Sequence, residues 1–197
     1  MTETIDRKTQ TRKLVLGAIM TAFVIAFQML GTMTTFFGPF STAVALIPIV
    51  IGAAMCGTAV GAWLGLVFGA VVLLTGGANL FLIFSVPGTI VTVLVKGIAC
   101  GLTAGIVYNT LKKFNQYVAA IAAAIVCPIT NTGVFLLGCY VFFMKHADAI
   151  ASTLGLPVSG MALFWTLAMG NFLFEILTNV ALSPIVIRVL KITKKQI

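Results

Sequence analysis

The chain has 197 residues, of which 60% are apolar and only 8% charged, with a mean hydropathy of +1.16. A soluble domain carries about 25% charge, so the composition excludes a water-soluble globule. Lys and Arg number 12 against 4 Asp and Glu, but they sit at the ends of hydrophobic blocks rather than across a folded face, which excludes a nucleic-acid binder.

A helix that spans a bilayer needs about 20 apolar residues. Hydrophobic blocks fall at about 14–31, 42–56, 58–76, 86–111, 116–143 and 160–190, and they predict an all-α membrane protein, a bundle of six transmembrane helices. The first block follows a basic tail (Arg7, Lys8, Arg12, Lys13). Its apolar run is not closed by a small-x-small cleavage site and further blocks follow, so it reads as a retained helix rather than a secretory signal. Ala18, Ala22 and Ala26, with Gly17 beside them, form a smooth AxxxAxxxA face suited either to internal packing or to another protein.

The second block is short and contains Pro48, which predicts a half-helix or a kinked span. In the third, Gly57, Gly61, Gly65 and Gly69 recur every four residues, and Gly97, Gly101 and Gly105 repeat the pattern in the fourth. Such stripes predict close helix contact inside the bundle.

Two ionisable residues fall near mid-membrane, Lys96 in the fourth block and Glu175 in the sixth. A charge at the bilayer centre costs about 2.5–3.5 kcal/mol on insertion scales, so each must face protein or water. They either pair with one another or bind a polar solute. Asn171, Glu175 and Asn179 share one helix face by their i, i+4, i+8 spacing, and Thr130, Asn131 and Thr132 follow Pro128 in the fifth block. That many polar positions at one level favours a cavity over a structural pair. Trp165, Phe164, Phe172 and Asn79 are expected above it, as apolar walls and a polar rim.

Other chemistry is absent from the pattern. The single histidine, His146, makes no metal cage or triad. No GxxxxGK[ST] loop binds ATP, and no nucleophile stands with a base, so no enzymatic activity is expected. Cys56, Cys100, Cys127 and Cys139 lie singly in apolar stretches and read as small packing residues.

Cations are retained on the cytoplasmic side. The N-terminal tail, the Lys112-Lys113 turn and the C-terminal group Arg188, Lys191, Lys194 and Lys195 together hold ten of the twelve. They share one side only if the crossings are even in number, giving six helices with both termini inside. The domain reading is a basic cytoplasmic tail at 1–13, a membrane domain at 14–190 and a basic cytoplasmic tail at 191–197. Segments 32–41, 77–85 and 144–159 then lie outside. Lined with Phe36, Phe37, Phe40, Phe81 and Phe84, they resemble a lid.

Several segments, in this order, resemble the substrate-binding S component of energy-coupling factor (ECF) vitamin transporters. They are the helix-one alanine stripe, Leu46-Ile-Pro-Ile-Val-Ile-Gly52, the Gly57 to Gly69 helix, Lys96-Gly97, Pro128-Ile-Thr-Asn-Thr-Gly133 and Asn171-x3-Glu175. The similarity covers nearly the whole chain. It implies the S-component fold in the cell membrane, and capture of a micronutrient from outside under the outer loops. It also implies partnership with a transmembrane coupling subunit and two cytoplasmic ATPases, which hydrolyse ATP while this chain binds no cofactor directly. The resemblance assigns the docking face to Ala18, Ala22 and Ala26. It favours Asn131, Asn171 and Glu175 as solute ligands, with Lys96 as a further candidate; Asn79 and Trp165 join the candidate site from their position in the chain alone. One departure from the family pattern is Cys56-Gly57-Thr58, where a basic residue often stands. Riboflavin-like and pantothenate-like solutes rank first, ahead of thiamine and biotin. The competing reading is a self-sufficient carrier that relays ions or protons through Lys96 and Glu175, although the two halves show no inverted repeat of the kind carriers contain.

Overall fold

A computed structural model describes residues 2–33 and 43–194, with side-chain surroundings at 10–32, 44–184, 187 and 188. The expected lid residues Phe36, Phe37 and Phe40 lie outside the described residues. Every described element is helical: α1 (Thr2–Met33), α2 (Leu46–Cys56), α3 (Thr58–Leu74), α4 (Asn79–Leu82), α5 (Val86–Leu111), α6 (Gln116–Gly138), α7 (Ala147–Leu154) and α8 (Gly160–Lys194).

Each hydrophobic block is helical, but the blocks are unequal. Four stretches are long and apolar enough to cross a membrane: Gln10–Thr32, Val86–Leu111, Gln116–Leu154 and Gly160–Pro184. The third of these joins α6 to α7 through a π-helical turn at Cys139–Phe143 and a 3-10 turn at Met144–His146. This ordered helical segment replaces part of the polar connection expected at 144–159.

The other two blocks are shorter. Helix α2 has 11 residues, about 16 Å at 1.5 Å per residue, against a hydrocarbon core of about 30 Å. It is bounded by a 3-10 turn at Ala43–Ala45 and by Gly57, whose φ of 105° a side chain would resist. Pro48 falls in its first turn, where the missing N–H has no helical acceptor to lose, so the short-helix alternative holds and no kink is needed. Leu46 through Ala53 are all buried, which lodges α2 in the bundle interior.

The caps are locally encoded. Ser85 accepts the Gly88 N–H at 3.3 Å with Pro87 in the first turn of α5. Asn115 Oδ1 accepts from the Tyr117 and Val118 amides at 2.8 and 3.4 Å to start α6. Both interior prolines, Pro128 and Pro184, sit within continuous helices. At the second, the Val180 carbonyl that Pro184 cannot serve accepts the Ser183 hydroxyl at 2.8 Å.

The glycine stripes face each other and bring α3 and α5 into backbone contact. A Cβ added at Gly61 would meet the Gly101 carbonyl oxygen at 2.6 Å, one at Gly69 the Val93 carbonyl oxygen at 2.8 Å, and one at Gly65 would strike the Gly97 carbonyl. Gly105 packs against Thr58. Gly57 is not part of this contact: nothing lies near its absent Cβ, and it serves the α2–α3 joint instead.

Two apolar clusters result. The larger gathers α1, α2, α3, α5 and α6 around Val24, Ile49, Leu64, Cys100 and Ala120, and the smaller joins the end of α6 to α7 and the start of α8 through Phe143, Ile150, Leu163 and Phe164. All four cysteines are buried free thiols.

Candidate solute-binding site

Asn131 lies three residues beyond Pro128 on α6, and Asn171 and Glu175 lie one turn apart on α8. Their side chains meet in the interior. Asn131 Nδ2 donates to both carboxylate oxygens of Glu175, at 3.2 and 3.3 Å. Asn171 Nδ2 donates to Oε1 at 2.8 Å. Glu175 is 2% exposed and Asn131 3%, so the carboxylate is held by two amides from different helices rather than by a cation.

Lys96 makes no direct ion pair with Glu175, though each lies within the other's electrostatic reach. Its ammonium stands over the rings of Phe135 and Phe68, at 5.4 and 5.9 Å from their centroids. Cation–π attraction offsets part of its lost hydration. The structural-pair reading of Lys96 and Glu175 is therefore not the arrangement found.

These groups border a cavity of about 680 Å³, within the range of small-molecule sites. Asn131, Thr132 and Phe135 of α6, Lys96 of α5, and Leu167, Ala168 and Asn171 of α8 line it. Met29 and Thr32 at the end of α1, the Thr75–Gly77 turn, and Asn79, Leu80 and Phe81 complete the wall. Phe81 is fixed edge-on between Phe135 and Phe143, with centroids 5.5 and 5.1 Å away.

Of the six residues expected at the site, Asn79, Lys96, Asn131 and Asn171 line the cavity, with Asn79 at its exposed rim. Glu175 stands behind the lining, in contact with it through the two asparagines. Trp165 is elsewhere: it is 51% exposed and does not line the cavity. The reason is angular, since six residues at about 100° each put it roughly 120° around α8 from Asn171. Phe164 is fully buried in the smaller cluster.

The rest of the expected polar stripe also has local work. Asn179 donates to the Glu175 backbone carbonyl at 2.8 Å, and Thr130 accepts from the Thr103 hydroxyl at 3.0 Å. The contribution of the α1 end and of the Thr75–Gly77 turn was not anticipated. Gly76-Gly77 was the available signal, and it reads only as a turn.

On α1, Ala18, Ala22 and Ala26 are all exposed. They form one strip with no described neighbour over it, flanked by exposed Leu14, Ile25 and Met29.

A family model described as "ECF transporter, substrate-specific component" matches residues 12–190. Comparison with curated proteins gives no match. Comparison with solved structures likewise gives none.

Proposed function

We propose, from the premise that the chain belongs to the family of substrate-specific components of ECF transporters, that it captures a water-soluble vitamin or related micronutrient from outside the cell. Members of this family are substrate-binding proteins of transporters rather than enzymes, and this one is a multi-pass membrane protein. The cavity bordered by Lys96, Asn131 and Asn171 is the single observation that carries the reading, because a purely structural polar network needs no empty volume beside it.

In this reading the two shorter helices complete a six-helix bundle in the cytoplasmic membrane with both termini inside. The cavity then opens at the end that the cation distribution assigns to the exterior. Ala18, Ala22 and Ala26 form the docking face for a transmembrane coupling subunit, and two cytoplasmic ATPases supply the energy. Asn79, Lys96, Asn131 and Asn171 contact the solute, Glu175 supports them, and Trp165 stands outside the site. Riboflavin-like and pantothenate-like solutes are the leading classes.

The carrier alternative, with Lys96 and Glu175 as a relay, draws no support from the hydrogen bonds that occupy Glu175. Mass spectrometry of small molecules co-purifying with the chain tests the proposal. A stoichiometric vitamin-like solute that is lost in Asn131→Leu is expected, whereas a solute retained in that variant places the binding site elsewhere.

A further inference from the structure

The nitrogen of Lys96 has a countercharge but no bonding partner. Glu175 lies within its electrostatic reach, yet that carboxylate is taken up by Asn131 and Asn171. Around the nitrogen itself stand the rings of Phe135 and Phe68, at 5.4 and 5.9 Å from their centroids, and among the described residues no acceptor reaches it. A lysine inside a membrane protein is normally paired or extended to the surface. This one is neither, and it lines the cavity.

Its place is rigid. Gly97, next in sequence, is in backbone contact with Gly65, and Gly69, which follows Phe68, is in contact with Val93 and Leu94. The amine and the Phe68 ring are therefore both fixed by the α3–α5 seam. The rest of the lining offers no thiol and no second amine, which leaves Lys96 as the one strong nucleophile that a solute in the cavity would meet.

A lysine nitrogen held in an apolar cleft is the group that condenses with carbonyls. We infer that Lys96 captures an aldehyde-bearing solute as a protonated imine, with Phe68 and Phe135 facing the new cation and Glu175 as its distant countercharge. In this step the ammonium nitrogen gives up two protons and forms a C=N bond to the aldehyde carbon. The C=O bond breaks, and its oxygen leaves with those two protons as water. Nothing is oxidised or reduced. One positive charge stands on the nitrogen before and after, so the ring faces that accommodate the ammonium also accommodate the product. Hydrolysis reverses the step and returns the solute unchanged. The aromatic side chains Phe81 and Phe135 in the wall suit a flat, conjugated aldehyde. This assignment rests on the proposed solute-binding function and adds to it a covalent step that neither leading solute class undergoes.

The test compares three molecules that share one pyridine skeleton, using the full chain in lipid nanodiscs. Pyridoxal carries the aldehyde, pyridoxine an alcohol in its place and 4-pyridoxate a carboxylate. Equilibrium titration is expected to show pyridoxal binding at least tenfold tighter, about 1.4 kcal/mol, than either of the others. Borohydride reduction of the pyridoxal complex, followed by peptide mass spectrometry, is expected to leave a single reduced adduct, on Lys96, before the other lysines react. Lys96→Arg keeps the charge and removes the nucleophile, so it is expected to abolish the adduct and bring the pyridoxal and pyridoxine affinities together. The titrations and the adduct map of the wild-type chain decide the matter even if that variant does not fold.

4-Pyridoxate binding as tightly as pyridoxal shows a lysine that acts through charge alone and overturns the inference. So does an adduct on other lysines with Lys96 unmodified, or an aldehyde preference that survives Lys96→Arg. Each of these results leaves the solute site standing. Failure of all three molecules to bind the wild-type chain overturns the inference, and the additional absence of any co-purifying solute overturns the proposed function with it.

Discussion

Replacing Gly65 by alanine sets two effects of opposite sign against each other. In an isolated helix the change gains about 1 kcal/mol of helix propensity. Here the new methyl would overlap the Gly97 carbonyl, lie 2.6 Å from its carbon and sit 3.2 Å from the Ile98 nitrogen. All of these are backbone atoms, so no rotamer change relieves the clash and α3 must move off α5. Overpacking costs about 1–3 kcal/mol, and a rigid backbone partner places this site at the upper end, leaving a net loss of about 2 kcal/mol. Gly133 supplies the control, because it is exposed on α6 and nothing lies within 4 Å of its Cβ position. Gly133→Ala therefore keeps the propensity gain and is expected to be slightly stabilised. Reversible unfolding of both variants in mixed micelles measures the difference. A Gly65→Ala protein as stable as Gly133→Ala would refute backbone contact between α3 and α5.

Ala22→Trp is expected to abolish co-purification with the ECF coupling complex while leaving solute affinity intact, as affinity capture followed by titration would read out. Unchanged assembly would remove α1 as the docking face. Asn131→Leu deletes a polar group of the cavity lining together with its bonds to Glu175, and should weaken solute binding at least tenfold, about 1.4 kcal/mol, in equilibrium binding of whichever solute co-purifies. Trp165→Phe should leave that affinity within twofold, since Trp165 does not line the cavity. A large loss would place the site on the other face of α8.

Elements with a strong local signal were legible in the sequence. The hydrophobic blocks gave the helices, the four-residue glycine spacing gave the α3–α5 contact, and the cost of burying Lys96 and Glu175 marked the interior polar level. What spacing cannot supply is a residue's angle relative to neighbours not yet placed. Asn171 and Trp165 sit on the same helix, yet only Asn171 reaches the cavity. Asn131 and Thr130 are adjacent, yet one faces Glu175 and the other Thr103. The Thr75–Gly77 turn joins the wall through tertiary proximity alone, since nothing in a glycine pair names what it will face. Length was the other blind spot: α2 is as apolar as a spanning helix but stops at Gly57, where the backbone conformation ends it.

The interlocked backbones of α3 and α5 also divide the molecule mechanically. Lys96 rides on α5 and the Thr75–Gly77 turn leaves the end of α3, so these parts of the wall are carried on a stiff girder that has no slack to yield. Asn171, Leu167 and Ala168 belong to α8 and Met29 and Thr32 to α1, outside that seam. Any widening of the cavity therefore falls to the parts of its wall carried on α1, α6 and α8 rather than to a separation of α3 from α5.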